Sequence, residues 1–485
     1  MVSGAVMPRL LLLLAGTAAL VSACRSQEPA TATVATAEAV ALSFVPGSRD
    51  EAGRFMGGTE MRALTAHGGR LYAGNGYWED RPGLEGSQGA AVLVLDGPRA
   101  RWRVDHVFDE RLPDRRRRDL AVSALEEVTF TTDGGGRPLP APVSILIAAN
   151  WDLSGTTRVF SRDDTTGAWA TATLAQDRPS TTFLPQVRSF GLHRDQVTGV
   201  DRVFAGQDPR GIFGGTYDPA APGRIRWDVA PELELSAVSA AGLSGRNGYL
   251  RVTSFAECNG RFYATVGQQI YERVDGAEPR WTLLYANRAP GHSETGLRGL
   301  TTIPDPRSHG EVLLAAVEGS AARIVRVDPR DRSEATEVDL LDFLGRQWGM
   351  PAGYAIAAYN NMARVPDPGG GEALLIGLEA FTPMRAPIAT GHTVVDVGYG
   401  RLDAGGWYLI RHPSGRYELR RLAASPDRAL VAIRSIRASP FPTEEDAVYF
   451  GGYDANKAPA HNTAWIIRVL SPLARSRATT RPGPP

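Results

Sequence analysis

One short pattern recurs at seven places along the chain, and this repetition constrains the fold more than any other feature. Each copy has a variable residue, then Arg or a small polar residue, then a small residue, then a large apolar one. The copies, called repeats 1 to 7 below, are MRAL (61–64), VSAL (122–125), VRSF (187–190), VTSF (252–255), LRGL (297–300), YNNM (359–362) and IRSI (433–436). Such periodicity predicts stacked copies of one supersecondary unit.

Each repeat continues with sequence typical of three further strands. A second apolar run ends in small residues, as in RLYAGN (70–75) and VLLAAV (312–317). Two more runs follow with a turn between them, as in WYLIRHPSGRYELRRL (407–422). Turn residues flanked by β-branched and aromatic residues favour antiparallel hairpins. The repeats therefore predict a chain built almost entirely from strands.

Four short antiparallel strands per repeat resemble a blade of the β-propeller superfamily. The resemblance implies an all-β fold, a seven-bladed propeller over residues 39–470. Repeat 7 shows only three strands of its own, so we expect AVALSFV (39–45) to supply the fourth and close the ring. The small third residue of the motif fits where inner strands crowd near the axis. The competing architecture, a pair of β-sandwiches, does not explain seven matched motifs.

The N-terminus indicates a targeting segment. Residues 10–21 form an apolar run too short for a mature transmembrane helix, and the run leads into LVSAC (20–24). This resembles the lipobox of bacterial lipoproteins, which implies cleavage before Cys24 and lipidation of its thiol. An ordinary signal peptide followed by a chance cysteine is the alternative. We predict a signal peptide at 1–23, a lipid-anchored flexible tether at 24–38 and a disordered tail at 471–485.

Charge and cysteine content agree with an exported protein. Acidic and basic residues are equal in number, 53 of each, so no global field attracts nucleic acid, and none is predicted as a partner. The two cysteines are Cys24 and Cys258. If Cys24 is acylated, no disulfide can form. We expect a bacterial cell-envelope protein anchored to the membrane through lipidated Cys24. The residue after it, Arg25, is not Asp, which favours the outer membrane.

Polar residues recur where the strands of a propeller would meet at one rim of its channel. The first strand of each blade begins on the face where the second strand ends. The second motif positions hold Arg62, Ser123, Arg188, Thr253, Arg298, Asn360 and Arg434. The ends of the second strands hold Asn75, Asn150, Asp152, Gln207, Asp208, Glu318, Glu379 and Asp454, with Gly267 as the exception in repeat 4.

Four guanidiniums converging on one axis repel each other and need negative partners. One interpretation is structural, with each Arg paired to a neighbouring carboxylate. The other is an external anion, because the planar guanidinium binds carboxylate, sulfate or phosphate. The second interpretation predicts that the channel mouth binds an anionic small molecule or an acidic glycan. Its predicted binding residues are Arg62, Arg188, Arg298, Arg434, Asn75, Asn150, Asn360, Glu318, Glu379 and Asp454.

An enzyme on the same scaffold is the alternative function, a lyase or hydrolase for an anionic, carbohydrate-like substrate. His461 or Tyr453 would then transfer the proton, and Glu318 or Glu379 would orient the base. A protein–protein scaffold is a third possibility. The sequence has no phosphate-binding loop, zinc motif or nucleophile elbow. No cofactor is therefore predicted, although the carboxylates leave Ca²⁺ open.

Overall fold

The all-β prediction is confirmed by the computed structural model. The structure describes residues 33–34, 40–77, 89–115, 117–177, 185–238, 251–288, 296–305, 307–383, 388–390, 393–395, 399–401, 406–425, 428–454 and 462–474. The chain divides into the units Met1–Thr31 and Ala32–Pro485, and all described residues belong to the second. Cys24 and His461 lie outside the described residues. Within them, the α-helices are α1 (Leu235–Val238) and α2 (Leu340–Trp348).

Repeats 1 and 2 form an eight-stranded sheet that the N-terminal strands precede. The first four strands are β1 (Thr33–Val34), β2 (Val40–Phe44), β3 (Ser48–Arg49) and β4 (Phe55–Met56). Repeat 1 forms β5 (Glu60–His67), β6 (Arg70–Gly76), β7 (Ala91–Leu95) and β8 (Arg103–Val107). Repeat 2 forms β9 (Asp119–Thr132), β10 (Pro138–Asp152), β11 (Thr156–Arg162) and β12 (Trp169–Gln176). Pairing between Gly76 and Ala121 joins the two antiparallel meanders.

Repeats 3, 4 and 5 each form their own antiparallel sheet. Repeat 3 forms β13 (Gln186–Arg194), β14 (Asp201–Asp208), β15 (Gly211–Tyr217) and β16 (Ile225–Trp227), and β17 (Leu233–Glu234) also pairs with β15. Repeat 4 forms β18 (Val252–Cys258), β19 (Arg261–Val266), β20 (Gln269–Val274) and β21 (Arg280–Ala286). Repeat 5 forms β22 (Leu297–Pro304), β23 (Glu311–Val317), β24 (Arg323–Val327) and β25 (Glu334–Asp339).

Repeats 6 and 7 use strands from both ends of the chain. Repeat 6 forms β26 (Tyr354–Pro366), β27 (Glu372–Pro383), β31 (Gly406–Arg411) and β32 (Tyr417–Ser425), with β28 (Ile388–Thr390), β29 (Thr393–Val395), β30 (Tyr399–Arg401) and β33 (Arg428–Ala429) as short additions. Repeat 7 forms β34 (Ala432–Ala438), β35 (Ala447–Tyr453) and β36 (Ile466–Leu470). Strand β2 pairs antiparallel with β36 in this last sheet, and β1 pairs parallel with β32.

The first strands of the repeats contact one another in chain order, and the last contacts the first. The contacts run from β5 to β9, β13, β18, β22, β26 and β34, and from β34 back to β5. Small residues on the second strands allow this approach. A Cβ on Gly74 would lie 2.6 Å from Val122 of the next repeat, and a Cβ on Gly206 would lie 2.5 Å from Val252. Apolar burial between neighbouring sheets therefore supplies the main cohesion of this unit.

The third motif residue also forms hydrogen bonds to a neighbouring first strand in several repeats. Ser254 Oγ accepts a hydrogen bond from the Leu300 amide at 3.0 Å, and Ser435 Oγ accepts one from the Leu64 amide at 3.1 Å. Asn361 contacts both backbone groups of Ile436. Each bond joins one first strand to the next, so these side chains set the register between neighbouring repeats.

No helix among the described residues is long and apolar enough to cross a membrane.

Candidate functional site

A β-bulge interrupts each first strand at its motif. In repeat 1 the pairing skips from Met61 to Ala63, which leaves Arg62 unpaired in the ladder. Arg188 and Arg434 occupy the equivalent bulges of repeats 3 and 7. A bulge redirects the extra side chain, which accounts for the polar residue at this position in repeats 1, 3 and 7. In repeat 5 Arg298 stays paired with Ala316, and the break follows it.

The bulge of repeat 6 is larger and brings Tyr359 to the centre of the site. Pairing passes from Ala357–Leu378 to Met362–Ile376, so residues 358–361 lie opposite one residue of β27. Ala358 has a φ of +53°, an uncommon conformation for a residue with a Cβ. The first motif residue is fully buried in repeat 1, where it is Met61, whereas Tyr359 is half-buried.

Two arginines enclose the Tyr359 ring. The Arg298 Cζ lies 4.0 Å from the ring centroid and the Arg434 Cζ lies 3.9 Å from it. Arg298 Nη1 also donates a hydrogen bond to the Tyr359 carbonyl at 3.1 Å. Each cation–π contact contributes about 0.5–2 kcal/mol, depending on desolvation. The phenol ring therefore lies close to two positive charges.

Asparagines anchor the same bulge on both sides. Asn360 Nδ2 donates to the Arg62 carbonyl of repeat 1, and Asn361 Nδ2 donates to the Ile436 carbonyl of repeat 7 at 2.7 Å. The first strands of repeats 1 and 7 thus hold the bulge that carries Tyr359. No described residue hydrogen-bonds the Tyr359 hydroxyl.

Carboxylates pair with the arginines, as the structural interpretation of the sequence expected. Arg434 donates to Glu60 at 2.5 Å and to Glu379 at 2.7 Å. Arg298 pairs with Glu318, and Arg188 Nε donates to Asp208 at 2.5 Å. The members of these pairs are largely buried. Each of these three guanidiniums therefore has an adjacent anion, which is the arrangement that the structural interpretation describes.

Arg62 is partnered more weakly than the other three. Its ion pair with Glu60 spans 3.5 Å, and Glu60 also accepts from Arg434. The Arg62 side chain makes no hydrogen bond to a described residue, although only 3% of the residue is exposed. Its Cζ lies 5.8 Å from the Trp151 ring centroid. Arg62 therefore retains hydrogen-bond donors that an additional anionic group could satisfy.

The surrounding charges make Tyr359 unusually acidic. Burial alone would raise the pKa of its phenol. The guanidiniums of Arg62, Arg434 and Arg298 oppose this and lower the pKa to about 8. The same hydroxyl that lacks a described hydrogen-bond partner is therefore partly ionised at neutral to mildly alkaline pH.

The other predicted site residues have mixed placements. Tyr453 Oη accepts a hydrogen bond from Arg434 Nη2 at 3.1 Å, so it belongs to the cluster. Asn75 bridges the Gly57 carbonyl and the Ala91 amide, both at 2.8 Å, which is a backbone-supporting role. Asn150, Gln207 and Asp454 lie buried at the ends of their strands, as their positions in the repeats suggested.

Repeat 2 has a separate ion-pair network. Asn150 Nδ2 donates to Asp119 at 3.2 Å, and Arg158 donates to both Asp119 oxygens at 2.8 and 2.9 Å. Burial raises the pKa of Asp119 to about 6, against the opposing effect of Arg158. Arg158 also pairs with buried Asp152 at 3.2 Å. These contacts neutralise the network internally.

A cavity of about 200 Å³ lies along the ring of first strands. Residues from β5, β9, β13, β18, β22, β26 and β34 line it, among them Ser123, Arg188, Thr253 and Asn360. Four residues at the second motif position thus face one shared space. Its hydroxyl and amide lining suits a polar ligand group.

The described residues contain no cluster of three His, Cys, Asp or Glu side chains that could hold a metal ion. The carboxylates of the site instead accept hydrogen bonds from arginines.

Sequence reasoning missed Tyr359 and Glu60. Tyr359 occupies the motif position that the pattern treats as variable, and Glu60 stands one residue before the motif of repeat 1. One signal was available, because YNNM replaces an aliphatic first residue with Tyr and follows it with two asparagines.

Comparison with known proteins yields only distant structural similarities. No family model and no curated protein matches the chain. Trypanosoma rangeli sialidase in complex with sialic acid aligns at 10% identity and a TM-score of 0.38, over 91% of this chain and 60% of that one. The S511A mutant of puromycin hydrolase aligns at 13% identity and a TM-score of 0.40, over 87% and 53%. The Dos1 propeller aligns at 9% identity and a TM-score of 0.41, over 85% and 93%.

This chain thus spans about three fifths of the sialidase and about half of the puromycin hydrolase. Similarities this distant assign no activity. The class of protein follows from the strand pairing and the closed cycle of first-strand contacts. The described residues have the fold of a β-propeller, and no particular family is assigned to the chain.

Proposed function

We propose that the protein is a cell-envelope lipoprotein that binds an anionic small molecule or an acidic glycan at the channel mouth of a seven-bladed propeller. Arg62 carries this proposal. It is a nearly buried guanidinium with unused donors, beside a phenol that no described residue hydrogen-bonds. An incoming carboxylate or sulfate would satisfy those donors by charge-assisted hydrogen bonds.

The proposed architecture has support of its own. Seven sequence repeats correspond to seven groups of paired strands, and the pairing of β2 with β36 supports closure of the ring by the N-terminal strand. The lipobox-like LVSAC (20–24) supports the anchor at Cys24. The predicted boundaries at 1–23, 24–38, 39–470 and 471–485 remain part of the proposal.

The ligand-binding proposal is tested by thermal shift with glucuronate and galacturonate, using glucose as the neutral control. We expect the acidic sugars to raise Tm, because a ligand that binds only the folded state stabilises it. Arg62→Ala should abolish this shift. Arg137→Ala should preserve it, since that arginine side chain is 85% exposed and pairs with Asp133. An acidic-sugar shift of full size in Arg62→Ala, or none in the native protein, contradicts the proposal.

A second candidate function is a lyase or hydrolase for an anionic, carbohydrate-like substrate. The Tyr359 hydroxyl, which no described residue hydrogen-bonds, favours this enzymatic function. A phenol whose pKa is lowered by several guanidiniums is suited to proton transfer. Tyr359 is a stronger candidate for this role than Tyr453, whose hydroxyl already accepts from Arg434. His461, the other predicted catalytic residue, lies outside the described residues.

A further inference from the structure

Three features of Tyr359 are more than a residue with only a packing role would need. Its bulge is the largest register break among the motif bulges and contains a non-glycine residue at positive φ. Two guanidiniums lie within 4.0 Å of its ring centroid, and its hydroxyl has no described hydrogen-bond partner. Backbone strain that the surroundings hold in place is characteristic of functional sites.

We propose that the Tyr359 Oη is the proton-accepting group of a catalytic centre that cleaves an acidic sugar chain by β-elimination, with Arg62 binding the substrate carboxylate. This inference rests on the proposed function, because it requires an acidic sugar at the same site. It adds a reaction class and a catalytic residue to that binding site.

The reaction balances with the groups present. The Tyr359 phenolate takes the proton from the carbon next to the carboxylate, and the C–H electrons move onto the carboxylate oxygens. Arg62 stabilises that developing charge. The electrons then form a C=C bond as the C–O bond to the neighbouring sugar breaks, and the leaving oxygen takes the proton from Tyr359. One C–H and one C–O bond are lost, and one C=C and one O–H bond are formed, with no other reactant.

The carboxylates of the site favour elimination over hydrolysis. A glycosidase with two carboxyl groups needs one that is protonated and free to donate to the leaving oxygen. Here Glu60 and Glu379 accept hydrogen bonds from Arg434, and Glu318 accepts from Arg298 and Tyr354. Arginine donors therefore already contact all three carboxylates. None of the three is available as a general acid, whereas the phenol can act as base and then as acid.

The bulge also fixes the base relative to the anion-binding group. Asn360, next to Tyr359 in the chain, donates to the Arg62 carbonyl. This contact joins the backbone at Arg62 to the residue that follows Tyr359. Holding reacting groups in one geometry in this way removes much of the entropic cost of the step.

The experiment incubates the purified protein with 1,4-linked oligomers of galacturonate, glucuronate and mannuronate–guluronate. Elimination creates a C=C bond conjugated to the carboxylate, which is followed by ultraviolet absorbance. We expect Tyr359→Phe to lower the initial rate at least about 100-fold, the scale of general acid–base catalysis. The same variant should keep the oligomer-induced rise in Tm. Tyr271→Phe, a matched control whose hydroxyl bonds Gln269, should leave both unchanged.

A pH profile separates a proton acceptor from a structural tyrosine. The rate should rise with pH as the phenol ionises, with a midpoint near its pKa of about 8. Oligomers that bind without producing the chromophore, or a full rate in Tyr359→Phe, would overturn the inference and leave the binding proposal standing. Parallel loss of binding and rate in that variant would make Tyr359 a binding residue only. If no oligomer binds, the proposed function fails as well.

Discussion

At the scale of single residues, the pKa of the Tyr359 phenol is set by the charges around it. Six buried tyrosines have raised phenol pKa values because burial disfavours the phenolate, namely Tyr72, Tyr263, Tyr271, Tyr285, Tyr408 and Tyr449. Tyr359 differs because Arg62, Arg298 and Arg434 surround it. Positive charge at short range in a poorly solvated site outweighs the cost of burial.

Tyr359 should therefore titrate apart from the other tyrosines. A spectrophotometric titration of the native protein should show one phenol ionising near pH 8, and Tyr359→Phe should remove that step. Because the folded pKa lies below the unfolded value of about 10, the ionised phenol stabilises the fold. This stabilisation is complete above pH 10 and is lost as pH falls through about 8. A native titration in which no tyrosine ionises below pH 9 would contradict the assignment.

At the scale of elements, two equivalent histidine contacts join neighbouring first strands. His67 of β5 contacts Glu127 at 2.6 Å and Asp164 at 2.9 Å, both from repeat 2. His193 of β13 contacts Glu257 at 2.5 Å and Asp275 at 3.0 Å, both from repeat 4. Both imidazoles are buried. Histidine–carboxylate contacts therefore join repeat 1 to repeat 2 and repeat 3 to repeat 4.

The contact at His193 should make stability depend on pH. Burial would lower the pKa of His193, but hydrogen bonds to Glu257 and Asp275 raise it overall above the ordinary value near 6.5. The contact therefore stabilises fully below about pH 6.5 and less as pH rises through the raised value. We expect His193→Asn to lower Tm more at pH 6 than at pH 9.

His309→Asn provides the control for this measurement, since His309 is exposed. It should change Tm little at either pH. The charged groups that face His193 are Glu257 and Asp275, and Asp275 also pairs with Arg273. The His193→Asn variant leaves all three in place, so it tests the histidine itself. An equal loss at both pH values in His193→Asn would show that packing against the Phe262 ring, 5.0 Å away, matters more than charge.

At the scale of the whole molecule, the N-terminal strand connects the first and last repeats. Phe44 of β2 is 1% exposed and belongs to a cluster with Met61 and Leu64 of repeat 1 and with Tyr449 and Ile466 of repeat 7. A closed ring distributes stability among its junctions, and an open junction would expose a strand edge.

Phe44→Ala should therefore destabilise the folded protein more than a substitution of a partly buried residue on the same strand. Loss of a buried phenylalanine costs about 3–5 kcal/mol, and the expected result is a clearly lower Tm. Leu42→Ala on the same strand is the matched control, because Leu42 is only partly buried and should cost less. Similar melting temperatures for Phe44→Ala and the native protein would mean that β2 does not close the ring.

The sequence by itself determined the repeat, the strand class and the polar character of the second motif position. Those properties are local, since turn residues and alternating apolar runs act within one hairpin. The prediction of an anchor at LVSAC (20–24) also rests on local sequence and stays a prediction.

Which acidic and basic side chains form ion pairs was determined only by the tertiary structure. Glu60 and Arg434 are separated by 374 residues in the chain, yet they form a buried ion pair because repeat 7 lies beside repeat 1. The bulge of residues 358–361 places Tyr359 among arginines of three other repeats, and no local pattern encodes that position. A motif can predict that a side chain is polar, but its partners, its ionisation and its unused hydrogen bonds depend on contacts between distant repeats.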